Sequence, residues 1–412
     1  MSIIVQKYGG TSTRSKETRG QMYKNIIREI NKGNKVVAVV SAMGRYDDPY
    51  ATDTLLSIVN KDDLTDEEID RLSSIGETIS TLVCKSELSH LGYIVETVTN
   101  NELGIMTDSH YQDASITTVE GKHILSKLEN ADIVICPGFQ GYSQKGKITT
   151  LGRGGSDLSA VAIGVAINAS EVEIYSDVSG IYTADPRIVP DAKKLNYISY
   201  LEMLELSKSG AKVLNHRCVQ LAAKHHIIIH MRSSFDSHQG TLVMGDDKIK
   251  KEHLNEFVIS GITGSQNEAR ITLVGVDAKT NGIGQLFQKI SKSNINILVF
   301  NQSLVGGGKM DISFIIDAQD LAKVSQIIQE MKETLKPQKV IMRGNTGRVS
   351  VVGIGIQNNK GIFDKIYNTL MNHHINVEMT SCSEINMTCY IDRNDVNQAQ
   401  LLLHEVFFKE EK

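Results

Sequence analysis

The pattern that most restricts this chain is the alternation, through its first half, of short β-branched runs with helical stripes. Ile3 to Gln6 leads into Lys7-Tyr8-Gly9-Gly10-Thr11-Ser12; Met22, Ile26, Ile27 and Ile30 then recur at helical spacing, and Val36 to Val40 forms a second apolar run. Similar runs stand at Ile133 to Cys136, Val172 to Tyr175 and Ile227 to His230, with helical stretches between them. Apolar strands alternating with amphipathic helices predict βαβ units in an α/β fold, a largely parallel sheet sandwiched by helices. Ligands of such sheets sit beyond the C-terminal ends of the strands. The glycine-rich segments of this chain fall at those ends.

A length of 412 residues exceeds one ordinary core and predicts two or three domains. Lys and Arg number 44 against 48 for Asp and Glu, a formal charge of −4, which gives no electrostatic reason to expect nucleic acid or an anionic membrane as a partner. The segment from Met1 to Lys7 lacks the basic region and apolar core of a targeting signal, and no apolar run approaches the length of a membrane span. A cytoplasmic protein with a small-molecule partner is expected. Cys84, Cys136, Cys218, Cys382 and Cys389 have no C-x-x-C spacing, which argues against a disulfide framework and structural zinc. His226 and His230 are four apart but enclose Ile227, Ile228 and Ile229, so a strand is expected there rather than a metal-binding helix.

Near Gly245 to Asn255 the chain turns charged, and beyond it lies an internal repeat. Residues 271–297, ITLVGVDAKTNGIGQLFQKISKSNINI, parallel residues 349–377, VSVVGIGIQNNKGIFDKIYNTLMNHHINV. Each copy reads as strand, glycine-containing loop, amphipathic helix and an Ile-Asn-Ile or Ile-Asn-Val strand. Ile283, Leu286, Phe287 and Ile290 keep helical spacing in the first copy, as do Phe363, Ile366, Tyr367 and Leu370 in the second. Neither copy carries a nucleophile or base constellation, so binding or assembly is the expected role. These signals divide the chain into 1–245, a linker at 246–261, and modules at 262–338 and 347–412.

The chemistry concentrates in four loops. Thr150-Leu151-Gly152-Arg153-Gly154-Gly155-Ser156-Asp157 joins a fixed cation, a bare backbone and a carboxylate at a helix start, and the small residues Ala160, Ala162, Gly164 and Ala166 that follow let this helix lie close on a sheet. Helix N-termini favour anions, and the guanidinium of Arg153 suits a carboxylate. The plainer alternative is a turn with Ser156 or Asp157 as N-cap. Lys7 beside Gly9 and Gly10 suits a transferring phosphoryl group, the alternative being a snorkelling strand-edge lysine. Ser41-Ala42-Met43-Gly44 and the turn-rich segment from Ser176 to Arg187 complete the set. Gly141 to Ile148 comes nearest to a Walker loop but has Ile148 where the magnesium-binding hydroxyl belongs, so a polar hairpin is expected.

In order, KYGGTS (7–12), VSAMG (40–44), TDTLL (52–56), IGE (75–77), GFQG (138–141), TLGRGGSD (150–157), YSDVSGIYTADPR (175–187), AKVL (211–214) and MRSSF (231–235) resemble the motifs of the aspartokinases of the amino-acid kinase superfamily. The tail repeat resembles that family's paired, ferredoxin-like ACT modules. The resemblance implies transfer of the γ-phosphate of Mg²⁺-ATP to the β-carboxylate of L-aspartate, giving 4-phospho-L-aspartate for lysine, threonine, methionine and diaminopimelate synthesis. It implies that Lys7, Tyr8, Gly9, Gly10 and Ser41 hold ATP, with Ser176, Asp177, Tyr182, Asp185, Arg187 and Lys212 forming the nucleotide wall. Aspartate would be bound by Thr52, Glu77, Arg153, Gly154, Gly155 and Ser156. Arg153 would pair with its α-carboxylate and Glu77 with its ammonium, while Asp157 organises the catalytic Lys7. No protein metal ligand is implied, since magnesium travels with ATP.

The same resemblance implies a homo-oligomer, at least a dimer through the ACT modules, with lysine, threonine or diaminopimelate as effector near Asn296, Gln302, Asn376 and Ser383. Those four residues also read as ordinary polar strand ends. Glu77 also reads as an exposed helix carboxylate. The chain departs from the family at Asn215-His216-Arg217, where a proline-containing turn is common, and at Lys279-Thr280-Asn281 and Asn358-Asn359-Lys360 in the tail loops. Competing expectations are a different acyl-phosphate or nucleotide kinase of the superfamily, such as a glutamate kinase, and a non-enzymatic amino-acid sensor.

Overall fold

Five apolar runs of the first half become neighbouring strands because each is buried on both faces and has nowhere to place a polar stripe. In the computed structural model, which describes residues 2–98, 100–211, 213–249, 259–356, 359 and 361–409, these are β1 (Ile3–Tyr8), β2 (Lys35–Val40), β6 (Ile133–Pro137), β9 (Glu171–Ser176) and β11 (Ile229–Ser233). With β3 (Val95–Thr97), β10 (Tyr197–Ser199) and β12 (Thr241–Met244) they form an eight-stranded sheet in the order β10-β12-β11-β9-β1-β2-β6-β3. All its pairings are parallel except β11 with β12.

The two faces of the sheet are separated by the strand period of two. Tyr8, Val36, Ala38, Val40, Ile133 and Ile135 pack against Met22 and Ile26 of the helix Lys16–Asn31 and against Cys84 and Leu88 of the helix Ile75–His90. Ser15 and Thr18 close a capping box that starts the first of these helices. The opposite face carries the helix Gly155–Ala166. There Gly164 leaves room that a Cβ would lose, since the added atom would lie 2.5 Å from Val172 Cγ2. A smaller sheet, β5-β4-β7-β8, is built from β4 (Ile105–Thr107), β5 (Ile116–Val119), β7 (Gln140–Ser143) and β8 (Ile148–Thr150). The last two form the expected hairpin of 141–148.

The chain divides into two compact units, the first comprising Met1–Tyr182, Lys193–Lys208 and Lys212–Glu256, the second Thr183–Ala192, Ser209–Ala211 and Phe257–Lys412. The second unit holds β13 (Gly261–Asp277), β14 (Val299–Gly306), β15 (Lys309–Asp317), β16 (Lys339–Val352), β17 (Met379–Cys382) and β18 (Asn386–Asp392) in one antiparallel sheet ordered β14-β15-β13-β16-β18-β17. Its helices follow a βαββα order twice, which is the repeat seen in the sequence.

The two modules interlock. Ile262, near the start of β13, lies in the core of the second module with Val349, Val351, Ile366 and Leu403. Ala269, Ile271 and Leu273, further along the same strand, lie in the core of the first, against which Val340 and Met342 of β16 also pack. A fully buried Ile or Val contributes roughly 1.5–3 kcal/mol, so each module stabilises the other through a shared strand. Two segments of the first half, Thr183–Ala192 and Ser209–Ala211, also belong to this unit: Ile262 N donates to Thr183 O at 2.7 Å, Thr183 Oγ1 lies 2.8 Å from His404 Nε2, and Asn386 Nδ2 donates to Ser209 Oγ at 3.3 Å.

The Ile-Asn-Ile and Ile-Asn-Val segments are not strands. Asn294 and His374 are left-handed, with φ of 57° and 59°, and Ile295 N and Ile375 N donate back to Ile290 O and Leu370 O. The helix ends therefore hold these residues, and pairing begins only at β14 and β17. Among the described residues no helix is long and apolar enough to cross a membrane.

Candidate active site

Lys7 stands on the face of β1 that the helix Gly155–Ala166 covers, and its Nζ lies 2.6 Å from Asp157 Oδ1 in the first turn of that helix. Both side chains are largely enclosed, so the ion pair is weakly screened. The chain after β1 turns inside a narrow space. A Cβ on Gly10 would stand 2.3 Å from Gly44 O, so only glycine lets the 9–10 loop pass beneath the 41–44 loop. Ser41 N donates to Tyr8 O, Gly44 N to Gly10 O and Thr13 Oγ1 to Ala42 O, which ties the two loops together.

Two residues expected to bind the aspartate substrate, Glu77 and Ser156, join this pair of loops. Ser41 Oγ donates to Ser156 Oγ at 2.9 Å, and Ala42 N donates to Glu77 Oε1 at 3.0 Å. Ser41, expected on the nucleotide side, thus touches Ser156 of the 150–157 loop directly. Glu77 is not the exposed helix carboxylate of the alternative reading: it is 2% exposed, its Oε2 is buried with no hydrogen-bond partner among the described residues, and burial pushes its pKa up to about 8. A buried carboxyl with one unused oxygen is suited to an incoming cation.

The 150–157 loop owes its shape to left-handed Gly152 and Gly154, with φ of 73° and 75°. Gly154 takes the N-cap position of the helix, so neither Ser156 nor Asp157 serves as the cap. Asp70 anchors the start of the loop: its carboxylate accepts from Thr150 N and Thr150 Oγ1, both at 2.8 Å, and from Gln112 N at 3.0 Å. Burial raises the Asp70 pKa. Arg217 and Asn215 hold the loop from the other side, through Leu151 O and Arg153 O. Arg153 itself has an exposed side chain. Asp70 was not recognisable in the sequence, where it is one acid among several in Asp66–Ser73. Asn215 and Arg217 stood out only as a departure from the family pattern.

The remaining expected residues are more dispersed. Thr52 opens the short helix Thr52–Ser57. Ser176 Oγ accepts from Val178 N, and Asp177 pairs with Arg45 at 3.0 Å, which carries a cation from the 41–48 loop to the end of β9. Tyr182 bridges to Lys194. Asp185 and Arg187 pair with each other at 2.6 Å, an interaction that lowers the Asp185 pKa, and both fall in the segment assigned to the second unit. Lys212, Asn358 and Lys360 lie outside the described residues. In the second unit Asn296, Gln302, Asn376 and Ser383 are all exposed. Asn296 and Asn376 occupy equivalent positions just before β14 and β17.

His230 pairs with acids rather than with His226. Glu171, Glu173 and His230 bring ligand atoms within 4.8 Å of one another at the N-terminal end of the strands, opposite the glycine-rich rim. Glu173 there already accepts from Arg232, Gln6 and Tyr175, so the cluster is knit by hydrogen bonds across β1, β9 and β11.

Residues 2–233 match the amino acid kinase family and residues 349–407 an ACT domain family. The chain is 37% identical to the aspartokinase of Helicobacter pylori over 412 residues, covering 98% of this chain and 99% of that one. The chain belongs to the aspartokinase family. Its fold is similar to that of E. coli aspartokinase III in complex with aspartate and ADP, with a TM-score of 0.82, 22% identity, and coverage of 99% of this chain and 100% of that chain. It is also similar to the lysine and aspartate complex of the same E. coli enzyme, with a TM-score of 0.74, 22% identity and the same coverage. The aspartokinase assignment agrees with a rim that gathers a fixed lysine, a buried carboxyl and an arginine-bearing loop.

Proposed function

We propose that this aspartokinase transfers phosphate between ATP and aspartate at the rim formed by the 7–10, 41–44 and 150–157 loops. The observation that carries this placement is the enclosed Lys7–Asp157 pair. A carboxylate acceptor is already anionic and requires no general base, so the barrier lies in bringing two anions together and stabilising charge on the transferring group. Lys7, fixed by Asp157, places a cation beside the Gly9–Gly10 backbone where the γ-phosphate would sit. ATP brings Mg²⁺ with it. Ser41 borders the same place, whereas Tyr8 reaches it only through its backbone carbonyl, its ring being buried against Met22 and Ile26 on the other face of β1; Ser176, Asp177 and Tyr182 are the nucleotide-side candidates that follow β9.

For the acceptor, Arg153 would take the α-carboxylate, Glu77 the ammonium, and Ser156 with the Gly154–Gly155 backbone the β-carboxylate, with Thr52 at the edge. The product is 4-phospho-L-aspartate. The ACT modules would bind an end product, lysine, threonine or diaminopimelate, around Asn296, Gln302, Asn376 and Ser383. They would also join subunits in at least a dimer: β14 is an edge strand exposed from Phe300 to Gly306, and such edges pair readily with another chain. A cytoplasmic site of action belongs to the same reading.

The test incubates purified protein with Mg²⁺-ATP, hydroxylamine and L-aspartate, L-glutamate or N-acetylglutamate, and traps acyl phosphate as hydroxamate. Hydroxamate from aspartate alone, suppressed by one of the three end products, is the expected result. Product from another acid would overturn the acceptor assignment, and no hydroxamate from any acid would favour a sensor.

A further inference from the structure

The loop that carries Arg153 contains two left-handed glycines, and its own hydrogen bonds, Gly155 N to Gly152 O at 2.9 Å and Asp157 N to Gly154 O at 3.2 Å, close only its turns. Glycine is the residue that loses most conformational freedom on ordering. The orientation of Arg153 and of the helix N-terminus must therefore be set from outside. Asn215 Nδ2 donates to Arg153 O at 2.6 Å, and Arg217 Nη1 donates to Leu151 O at 2.9 Å. Arg217 also reaches Ala114 O at 2.7 Å and Asp113 Oδ1 at 2.9 Å, so its guanidinium spans two chain segments.

The Asn215 amide has two tasks. Its Oδ1 accepts from Arg217 N at 2.8 Å and caps the helix His216–His225, while its Nδ2 reaches the acceptor loop. A Cβ on Gly154 would stand 2.5 Å from that Nδ2, so the glycine clears the path by which the amide reaches the carbonyl. The clamp and the left-handed turn are built for each other.

We propose that Asn215 and Arg217 are positioning residues for the acceptor: by holding the carbonyls of Leu151 and Arg153 they aim the Arg153 guanidinium and the helix N-terminus at the carboxylate substrate. This rests on the reading of residues 150–157 as the aspartate-binding loop. A positioning error of about 1 Å in a site of this kind costs on the order of a hundredfold, and the loss of one of the two clamp residues, with the Asp70 and Ser41 anchors intact, is expected to cost less.

Asn215→Ser separates the two tasks, because serine is a good N-cap but is too short to reach Arg153 O. It is expected to raise KM for aspartate by about tenfold, with KM for ATP within twofold and the melting temperature unchanged; Asn215→Asp, which also keeps the cap, should behave in the same direction. Arg217→Met should raise the same KM. In an Arg153→Ala background, Asn215→Ser should add less than about twofold, since the residue it positions is gone. An unchanged KM for aspartate in Asn215→Ser, or a loss of kcat that tracks a fall in melting temperature with both KM values unmoved, would reduce Asn215 to a helix cap and overturn the proposal. If Arg153→Ala itself left KM for aspartate unchanged, the loop would not be the acceptor site and the clamp would have nothing to position.

Discussion

Glu77 offers the sharpest test of the site, because its charge and its proposed task conflict near neutral pH. The carboxyl is 2% exposed, receives one hydrogen bond from Ala42 N, and has a buried Oε2 without a partner among the described residues. Desolvation raises its pKa to about 8, so at pH 7 the group is mostly protonated before substrate arrives. Pairing with the ammonium of aspartate requires the carboxylate. Ionising the group at pH 7 costs about 1.4 kcal/mol, and each further unit of acid adds about the same. KM for aspartate should therefore fall about tenfold per pH unit from 6 towards 8 and flatten above it, while KM for ATP stays level.

Glu77→Gln should raise KM for aspartate at pH 8.5 and abolish the slope below pH 8. The assay is initial-rate ADP release at saturating ATP across pH 6 to 9. Stability must show the opposite trend. The folded pKa lies above the unfolded value of 4.5, so the native state holds a proton that the unfolded chain releases, and this stabilisation, complete below 4.5, disappears as pH rises through about 8. Thermal melts of Glu77→Gln should accordingly gain on the native protein as pH rises from 5 to 8. A flat KM profile in the native enzyme, or an unchanged slope in Glu77→Gln, would refute the pairing.

Arg153→Ala should lower kcat/KM for aspartate on the order of a hundredfold with little change in KM for ATP, and a loss under threefold would remove Arg153 from the substrate site. Gly10→Ala puts a methyl 2.3 Å from Gly44 O; backbone displacement of that kind costs about 1–3 kcal/mol, read as a drop in melting temperature together with loss of kinase activity, and a native-like melt would contradict the packing argument. Truncation after Glu256 removes the partners of Thr183–Ala192 and Ser209–Ala211, which belong to the second unit. The truncated protein should aggregate on expression, and a soluble, folded and active fragment would show that these segments do not depend on the second unit.

Much of the rim was legible because it is written in local signals. The strands of the large sheet are continuous apolar runs, and the loops that follow them carry glycine and charge at fixed offsets, so β1, β2 and β9 and the residues Lys7, Arg153 and Asp157 were recognisable at once. What escaped depends on distant partners. Asp70 is buried in a helix whose other acids are exposed or half-buried, and the approach of Thr150 and of the Gln112 N–H sets it apart. Thr183–Ala192 reads as a polar turn because its binding surface, around Ile262 and His404, comes some eighty and more residues later. The Ile-Asn-Ile pattern misled for a related reason: its isoleucines serve the packing of the preceding helix rather than a ladder.

The arrangement of charge at the rim also suggests why the acceptor should be an amino acid rather than a simple dicarboxylate. Lys7 has its counter-ion in place at 2.6 Å, so the phosphate side is organised before any ligand binds. Among the described residues Glu77 has none, and its second oxygen meets no donor. An acid without an amine would leave that oxygen buried and unused, and would gain nothing from the ionised form of Glu77. An α-ammonium group would supply both the donor and the charge, beside Ala42 and Ser41, whose hydroxyl reaches Ser156 in the loop proposed to hold the carboxylates. On this reasoning succinate should be a far poorer acceptor than aspartate, and the gap between them should narrow in Glu77→Gln, where no charge awaits the ammonium.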